Sequence, residues 1–260
     1  MRNFLLQAYY GYRGLYIWLP WPSYVTLVIL GPMLTMMMFT LVGRFALGPA
    51  VVRPYLLGMV AQYIPFIVSA GIVNCFAHER FFGTLSIVYA SRANRAEVFF
   101  SRLLLHIPNG FVVVAAGLFF SWLLLGVDFS MVNWPVFLLS VLIISLSSSG
   151  AGGFISNFTI VMADWIMLYR IFTGIIIVLT GVIIPLSSLP APLAAFSQVL
   201  PLTHGLVAFR AAFDGAVLID VWPFLIKELI VGLVYMTLGY TGYNVAEIVA
   251  KRQGILETMV

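Results

Sequence analysis

The residues best suited to chemistry in this sequence form a short charged segment, HERFFGTL at 78–85, between two long apolar blocks. Glu79 and Arg80 can make charge-assisted hydrogen bonds. Gly83 permits close approach of its backbone to another surface, and Thr84 can cap a helix. The pattern predicts a contact surface or, more simply, a polar turn whose charges are solvated.

Motifs for catalysis or nucleotide binding are missing from the sequence. No GxxxxGK followed by Ser or Thr occurs, so the chain lacks a phosphate-binding loop of that type. The histidines His78, His106 and His204 are far apart and lack paired metal-ligand spacing. No GxSxG nucleophile elbow is present. A membrane-bound enzyme is therefore disfavoured, although distant residues could still converge.

The composition is that of an integral membrane protein. Hydrophobic residues make up 62% of the chain and charged residues 8%, whereas about a quarter of the residues in soluble domains are charged. Several apolar blocks have roughly the 20 residues that a membrane-spanning helix needs. The single cysteine, Cys75, rules out an internal disulfide and is expected to be a buried packing residue. We therefore expect one all-α transmembrane domain, 1–260.

The elements around the charged segment can be predicted from apolar blocks and prolines. Residues 1–22 predict an amphipathic interfacial helix, with a flexible tail as the alternative. Residues 186–221 are apolar but cut by prolines, which predicts a re-entrant helical hairpin. The small residues at 147–153 permit close helix approach. Six transmembrane helices are predicted at 23–43, 55–76, 107–127, 136–162, 165–184 and 223–246.

Acidic residues are predicted to lie at, beyond or near the ends of these spans. Arg102 precedes the third span, where its side chain can snorkel to the headgroups. Glu228 lies beside Lys227 near the start of the sixth span. Arg210 and Asp214, four residues apart, are expected to pair on one helix face. Because ion-coupled transporters usually keep a charge in mid-membrane, this distribution disfavours that class.

The basic residues also predict orientation. Nine of the 13 lysines and arginines fall on the side of both termini, and four fall on the other side. The positive-inside tendency therefore predicts cytoplasmic termini, a cytoplasmic charged segment at 78–85 and an external hairpin. The net charge of +4 reports this orientation, so nucleic acid is not an expected partner.

Two motifs and the order of the elements carry a family resemblance. The first motif is ERFFGTL at 79–85, and the second is LPLTHGLVAFR at 200–210. With the interfacial helix, six spans and a hairpin before the last span, they resemble the permease subunits of type-2 ABC (ABC-2) exporters. That family includes drug or antibiotic, lipo-oligosaccharide and polysaccharide exporters. The chain departs from the family's pattern at Phe81 and Ser86, where acids are common.

The resemblance implies a cytoplasmic coupling helix within 77–97, between spans 2 and 3, that docks on ABC ATPase subunits. ATP and Mg²⁺ would bind to those partners, and this chain would hold no cofactor. The hairpin would close the outer end of the path, and His204 is expected to be a hydrogen-bonded packing residue rather than a pH gate. The implied coupling residues are Glu79, Arg80, Gly83 and Thr84, and the hairpin residues are Pro201, His204 and Arg210.

A second permease chain, identical or related, would complete the path at a two-fold interface. The resemblance implies export from a bacterial inner membrane. The apolar, uncharged interior favours a hydrophobic or amphipathic cargo, such as a drug, an antibiotic or a lipid-linked molecule. The alternative function is an ion-coupled secondary transporter. The candidate path residues, which core or lipid-facing packing would also explain, are Met36, Phe39, Gln62, Tyr63 and Asn74.

Overall fold

The computed structural model describes residues 20–48, 52–162 and 164–253. Every regular element in these ranges is a helix, as expected for an all-α protein. In chain order the helices are α1 (Trp21–Tyr24, Val25–Leu30 and Gly31–Leu47), α2 (Val52–Phe81), α3 (Thr84–Ala90), α4 (Arg95–Leu105), α5 (Ile107–Leu125), α6 (Trp134–Val161), α7 (Trp165–Leu179), α8 (Ala191–Ser197), α9 (Thr203–Phe213) and α10 (Leu218–Gln253).

Five helical segments among the described residues are long and apolar enough to cross a membrane: α1, α2, α4 together with α5, α6, and α10. The remaining predicted span corresponds to α7, which is apolar but has only 15 residues. It ends before 184 because the backbone leaves helical geometry around Gly181, where φ is +86°. Of the interfacial helix predicted at 1–22, residues 1–19 lie outside the described ranges.

A π-helical stretch, Val25–Leu30, interrupts α1. The N–H of Gly31 bonds to the carbonyl of Thr26, five residues back, just before Pro32. Proline has no N–H to donate, so the regular ladder cannot continue through it. The wider turn therefore lies just before Pro32, the proline inside the predicted first span.

Two helices extend beyond their predicted ends. The second span, predicted at 55–76, continues in α2 to Phe81, so most of the charged segment is helical rather than a turn. The last helix begins at Leu218. Pro223, which was predicted as its start, lies inside the helix. The predicted hairpin at 186–221 is therefore shorter than expected and consists of a 3₁₀ turn, Leu186–Ser188, with α8 and α9.

Small residues let α6 pack closely between α2 and α10. A Cβ on Gly152 would lie 2.9 Å from the Cα of Ser69 on α2. One on Gly150 would lie 2.6 Å from the carbonyl oxygen of Gly232 on α10. The Ser69 hydroxyl donates to the carbonyl of Ser148 at 3.0 Å. The close approach predicted for 147–153 is therefore present in the structure.

We expect Gly150→Ala to destabilise the bundle by about 1–3 kcal/mol, because the new methyl group meets backbone that cannot move aside. The measurement is the thermal unfolding midpoint of the purified protein in detergent. Gly174→Ala on α7 is the matched control, since a Cβ there meets open space and should leave the midpoint unchanged or slightly higher. Equal midpoints in the two variants would contradict this packing.

Candidate functional site

The candidate site is the junction between α2 and α3, where the charged segment lies. The last turn of α2 contains His78 and Arg80, and the chain reverses at Gly83, whose φ of +68° favours glycine. The Thr84 hydroxyl donates to the carbonyl of Glu79 at 3.2 Å. The predicted capping residue therefore bonds to the end of α2, and no side chain caps α3.

Glu79 forms an ion pair inside the protein. Its carboxylate lies 2.7 Å from the guanidinium of Arg102 on α4, and that guanidinium lies 4.8 Å above the ring of Phe76. Arg102 is only 7% exposed. The prediction that Arg102 snorkels to the headgroups is therefore wrong, because it lies on the face of α4 that also buries Phe99 and Leu103.

Arg80 is likewise engaged within the chain. Its guanidinium donates to the carbonyls of Thr159 (2.9 Å) and Met162 (2.6 Å). These carbonyls lie at the C-terminal end of α6, where a helix leaves acceptors without intrahelical donors and where a positive charge is favourable. Arg80 therefore fastens the end of α2 to the end of α6.

Arg95 fastens α3 to α10, a role that the sequence did not reveal. Its guanidinium donates to the carbonyls of Val88 (3.2 Å) and Tyr89 (2.8 Å) at the end of α3. It also pairs with Glu247 on α10 at 3.0 Å, and Lys251 pairs with the same carboxylate at 2.6 Å. The sequence offers one signal of this cluster, the four-residue spacing of Glu247 and Lys251, which places the two side chains on one helix face.

Tyr89 anchors the underside of α3. Its side chain is buried, and its ring centroid lies 5.7 Å from that of Tyr243 on α10. The end of α2, the turn and α3 also expose three large apolar side chains, which together we call the apolar α3 face: Phe81 (66% exposed), Phe82 (52%) and Ile87 (68%). The junction thus presents an apolar surface on a firmly held support.

The predicted hairpin residues lie at the other end of the bundle. Arg210 donates to the carbonyls of Gly181 (3.1 Å), Val182 (3.2 Å) and Pro54 (3.1 Å), and so joins the end of α7 to the start of α2. Asp214 instead pairs with Arg53 at 2.8 Å. The predicted Arg210–Asp214 pair is therefore wrong, because carbonyls at two other helix ends take the Arg210 donors.

The remaining hairpin residues lie in and after the turn between α8 and α9. Pro201 is buried in that turn. The ring of His204 is nearly buried, with Nε2 3.1 Å from the carbonyl oxygen of Gln198. Burial lowers the pKa of His204, so its ring is neutral near pH 7. This geometry agrees with the expected packing role.

Glu228 contradicts the expectation that acidic side chains lie only at or near the ends of the spans. Its side chain is fully buried and accepts hydrogen bonds from the backbone N–H groups of Leu202 (2.7 Å) and Gly205 (2.9 Å) and from the Ser147 hydroxyl. It lies ten residues after the start of α10 at Leu218, about 15 Å along the helix axis. The sequence placed it near a span end because Pro223 was taken as the helix start.

The predicted path residues are distributed over α1 and α2. Met36, Gln62 and Tyr63 are buried within the single chain, while Phe39 and Asn74 are half-buried. Met36 packs against Gly117 and lines an apolar cleft between α1 and α5. Core packing therefore describes Met36, Gln62 and Tyr63 within one chain, and the predicted path lining stays a prediction.

Comparison with known families identifies a family to which the chain is similar. A family model described as ABC-2 type transporter matches residues 18–213, well over half of the chain. The matched range includes the α2–α3 junction and the hairpin and ends at the last residue of α9. A comparison with curated proteins gave no match.

We expect Glu79→Ala to destabilise the protein by about 3 kcal/mol or more, because it leaves the buried guanidinium of Arg102 without a counter-charge. Asp214→Ala is the matched control. It removes one partner of an ion pair whose side chains are 50% and 61% exposed, and it should cost less than about 1 kcal/mol. Urea unfolding in detergent measures both, and similar losses in both variants would contradict the buried role.

Proposed function

We propose, since the chain belongs to the ABC-2 type transporter family, that it is the permease subunit of an ABC exporter driven by separate ATPase subunits. Membership of that family supports a membrane transport component rather than an enzyme. ATP and Mg²⁺ would bind on the partner, because the chain contains no phosphate-binding loop of the GxxxxGK type. The chain would need no cofactor of its own.

The apolar α3 face is the observation that carries the docking proposal. Phe81 is the last residue of α2, Phe82 follows it, and Ile87 lies on α3, so all three are exposed at the α2–α3 junction. Exposed apolar side chains grouped in this way mark interaction sites. Phe81 and Phe82 also pack edge to face, with ring centroids 5.3 Å apart. A groove of an ATPase subunit lined by apolar side chains would bury them.

The support of this face suits the transmission of force. A push on α3 would reach α10 through Arg95 and Glu247, and a push on the end of α2 would reach α4 through Glu79 and Arg102. Ion pairs with several charge-assisted hydrogen bonds hold their geometry better than apolar contacts. In this proposal Glu79 and Arg80 hold together the helices that support the docking surface, and the apolar side chains form the surface that contacts the partner.

The α3 end of the bundle would lie in the cytoplasm of a bacterial cell, with both termini on that side of the inner membrane. Basic side chains support this orientation, because Arg80, Arg95, Lys251 and Arg252 lie at this end of their helices and Arg92 lies in the loop between α3 and α4. The hairpin end would then be external, where α8 and α9 would close the path.

A second permease chain, identical or related, would complete the path for a hydrophobic or amphipathic cargo exported by alternating access. Large apolar side chains exposed on α1 and α7 support this part of the proposal, since they need lipid or another chain as a neighbour. Apolar side chains would suit a drug, an antibiotic or a lipid-linked molecule better than an ion. The exposed residues include Leu34, Met38 and Phe45 on α1, and Ile166, Met167 and Ile171 on α7.

An ion-coupled secondary transporter is the second candidate, because Glu228 is a carboxyl group buried inside the bundle. The ABC-2 family match favours the first candidate. Reconstitution of the chain alone separates them. Cargo movement driven by an ion gradient, without an ATPase, would support the second function and exclude the first.

We expect Ile87→Asp to reduce the amount of ATPase subunit that co-purifies with the tagged permease by about tenfold or more, because an unpaired charge would be buried at the docking surface. The permease itself should insert and fold normally, since Ile87 is 68% exposed. Met131→Asp is the matched control: Met131 is 69% exposed, in the loop between α5 and α6 at the hairpin end. Undiminished co-purification in Ile87→Asp would refute docking through this face.

A further inference from the structure

The buried part of the hairpin, at the first turn of α9, is bound by a single carboxyl group, that of Glu228. The Leu202 N–H donates to one oxygen of Glu228 and the Gly205 N–H to the other. The Ser147 hydroxyl on α6 donates to the first of these oxygens. Glu228 on α10 therefore joins three elements at one point: α6, α10 and the first turn of α9.

The two backbone donors are groups that would otherwise lack acceptors. The first N–H groups of a helix have no intrahelical partner, and their positive partial charge attracts an anion. Leu202 precedes α9 with a φ of +83°, an unusual conformation for a residue with a side chain. Hydrogen bonding to Glu228 stabilises this strained turn, so the seated conformation of the hairpin depends on that carboxyl group.

The anchor lies deep in the bundle. Ser147 is near the midpoint of α6, which runs from Trp134 to Val161. Gly205 covers Ile144 so closely that a Cβ on the glycine would overlap the isoleucine side chain. Ile144 itself is fully buried. If the first turn of α9 moved away from α6, Ile144 would be uncovered.

We propose that Glu228 is the positioning residue that keeps the hairpin seated against α6 and α10, and that release of this anchor opens the hairpin end of the transport path. The inference rests on the proposed transport function for its consequence, but the anchor itself can be tested without ATPase or cargo. Residue 228 also lies beyond the range matched by the family model, which ends at 213.

The test measures labelling by a membrane-impermeant maleimide of Ile144→Cys in a Cys75→Ala background, using the purified full chain. Adding Glu228→Gln should raise the labelling rate by about tenfold or more, because an amide offers one acceptor oxygen and turns its NH₂ toward a donor. Glu228→Asp keeps the carboxylate and should restore at least part of the protection. Asp220→Asn, exposed on the same helix, should change nothing.

Cys75, measured in a separate variant that retains it, serves as the control for a general loss of structure. It is buried on α2 near the α3 end, and in the Glu228→Gln protein with Ile144 intact its labelling rate should stay at the wild-type level. No increase at position 144, or an equal increase at both positions, would overturn the proposal. If Glu228→Gln cannot be recovered, Ser147→Ala replaces it with an expected increase of about two- to fivefold, and no increase would overturn the proposal equally.

Failure of this test can be distinguished from failure of the proposed function. Labelling at position 144 depends only on the hairpin, whereas ATPase co-purification depends on the apolar α3 face at the opposite end. If the hairpin stays packed against α6 without the Glu228 carboxylate, the anchor proposal fails and the proposed exporter function is unaffected. If no ATPase subunit co-purifies, the proposed exporter function fails and the role of Glu228 in holding the hairpin is unaffected.

Discussion

A charge buried among membrane helices needs a partner within the chain, because lipid offers none. This constraint determines how the described helices are joined at both ends of the bundle. At the α3 end, the Glu79–Arg102 pair joins α2 to α4, and the Glu247 carboxylate joins α10 to Arg95. Deeper in the bundle, Glu228 joins α10 to backbone donors of the hairpin. Apolar packing holds the helices side by side, and these contacts fix their positions along one another.

The same constraint explains why Glu79 and Arg80, which the sequence predicts as docking groups, have partners within the chain. An exposed Glu79 would be free to meet a partner, but its neighbours place Arg102 within reach and exclude water. Phe81 and Phe82 of the motif are exposed instead. Phe81 is also one of the two positions, with Ser86, at which the sequence departs from the pattern of the family it resembles.

Much of the fold could be predicted from the sequence, because apolar length alone reports which segments are membrane helices. Five of the six predicted spans have helices long enough to cross a bilayer, and the small residues of α6 were correctly assigned to close packing. Rotation about each helix axis could not be predicted, since nearly every side chain is apolar and no polar stripe marks the inward face. Arg102 was misplaced for that reason, whereas Glu228 was misplaced because Pro223 was taken as the start of its helix. The distant partners of Arg95 and Arg210 could not be read from sequence spacing either.

The π-helical stretch of α1 determines where its first residues point. One extra residue in a helix rotates the side chains on one side of it by about 100° relative to those on the other. With that offset, the hydroxyl of Tyr24 donates to the side-chain oxygen of Asn109 on α5 at 3.1 Å, while Met36 beyond the stretch packs against Gly117 of the same helix. A regular helix would turn one of these two side chains away from α5. The wide turn thus brings residues on both of its sides, Tyr24 and Met36, against the same neighbouring helix.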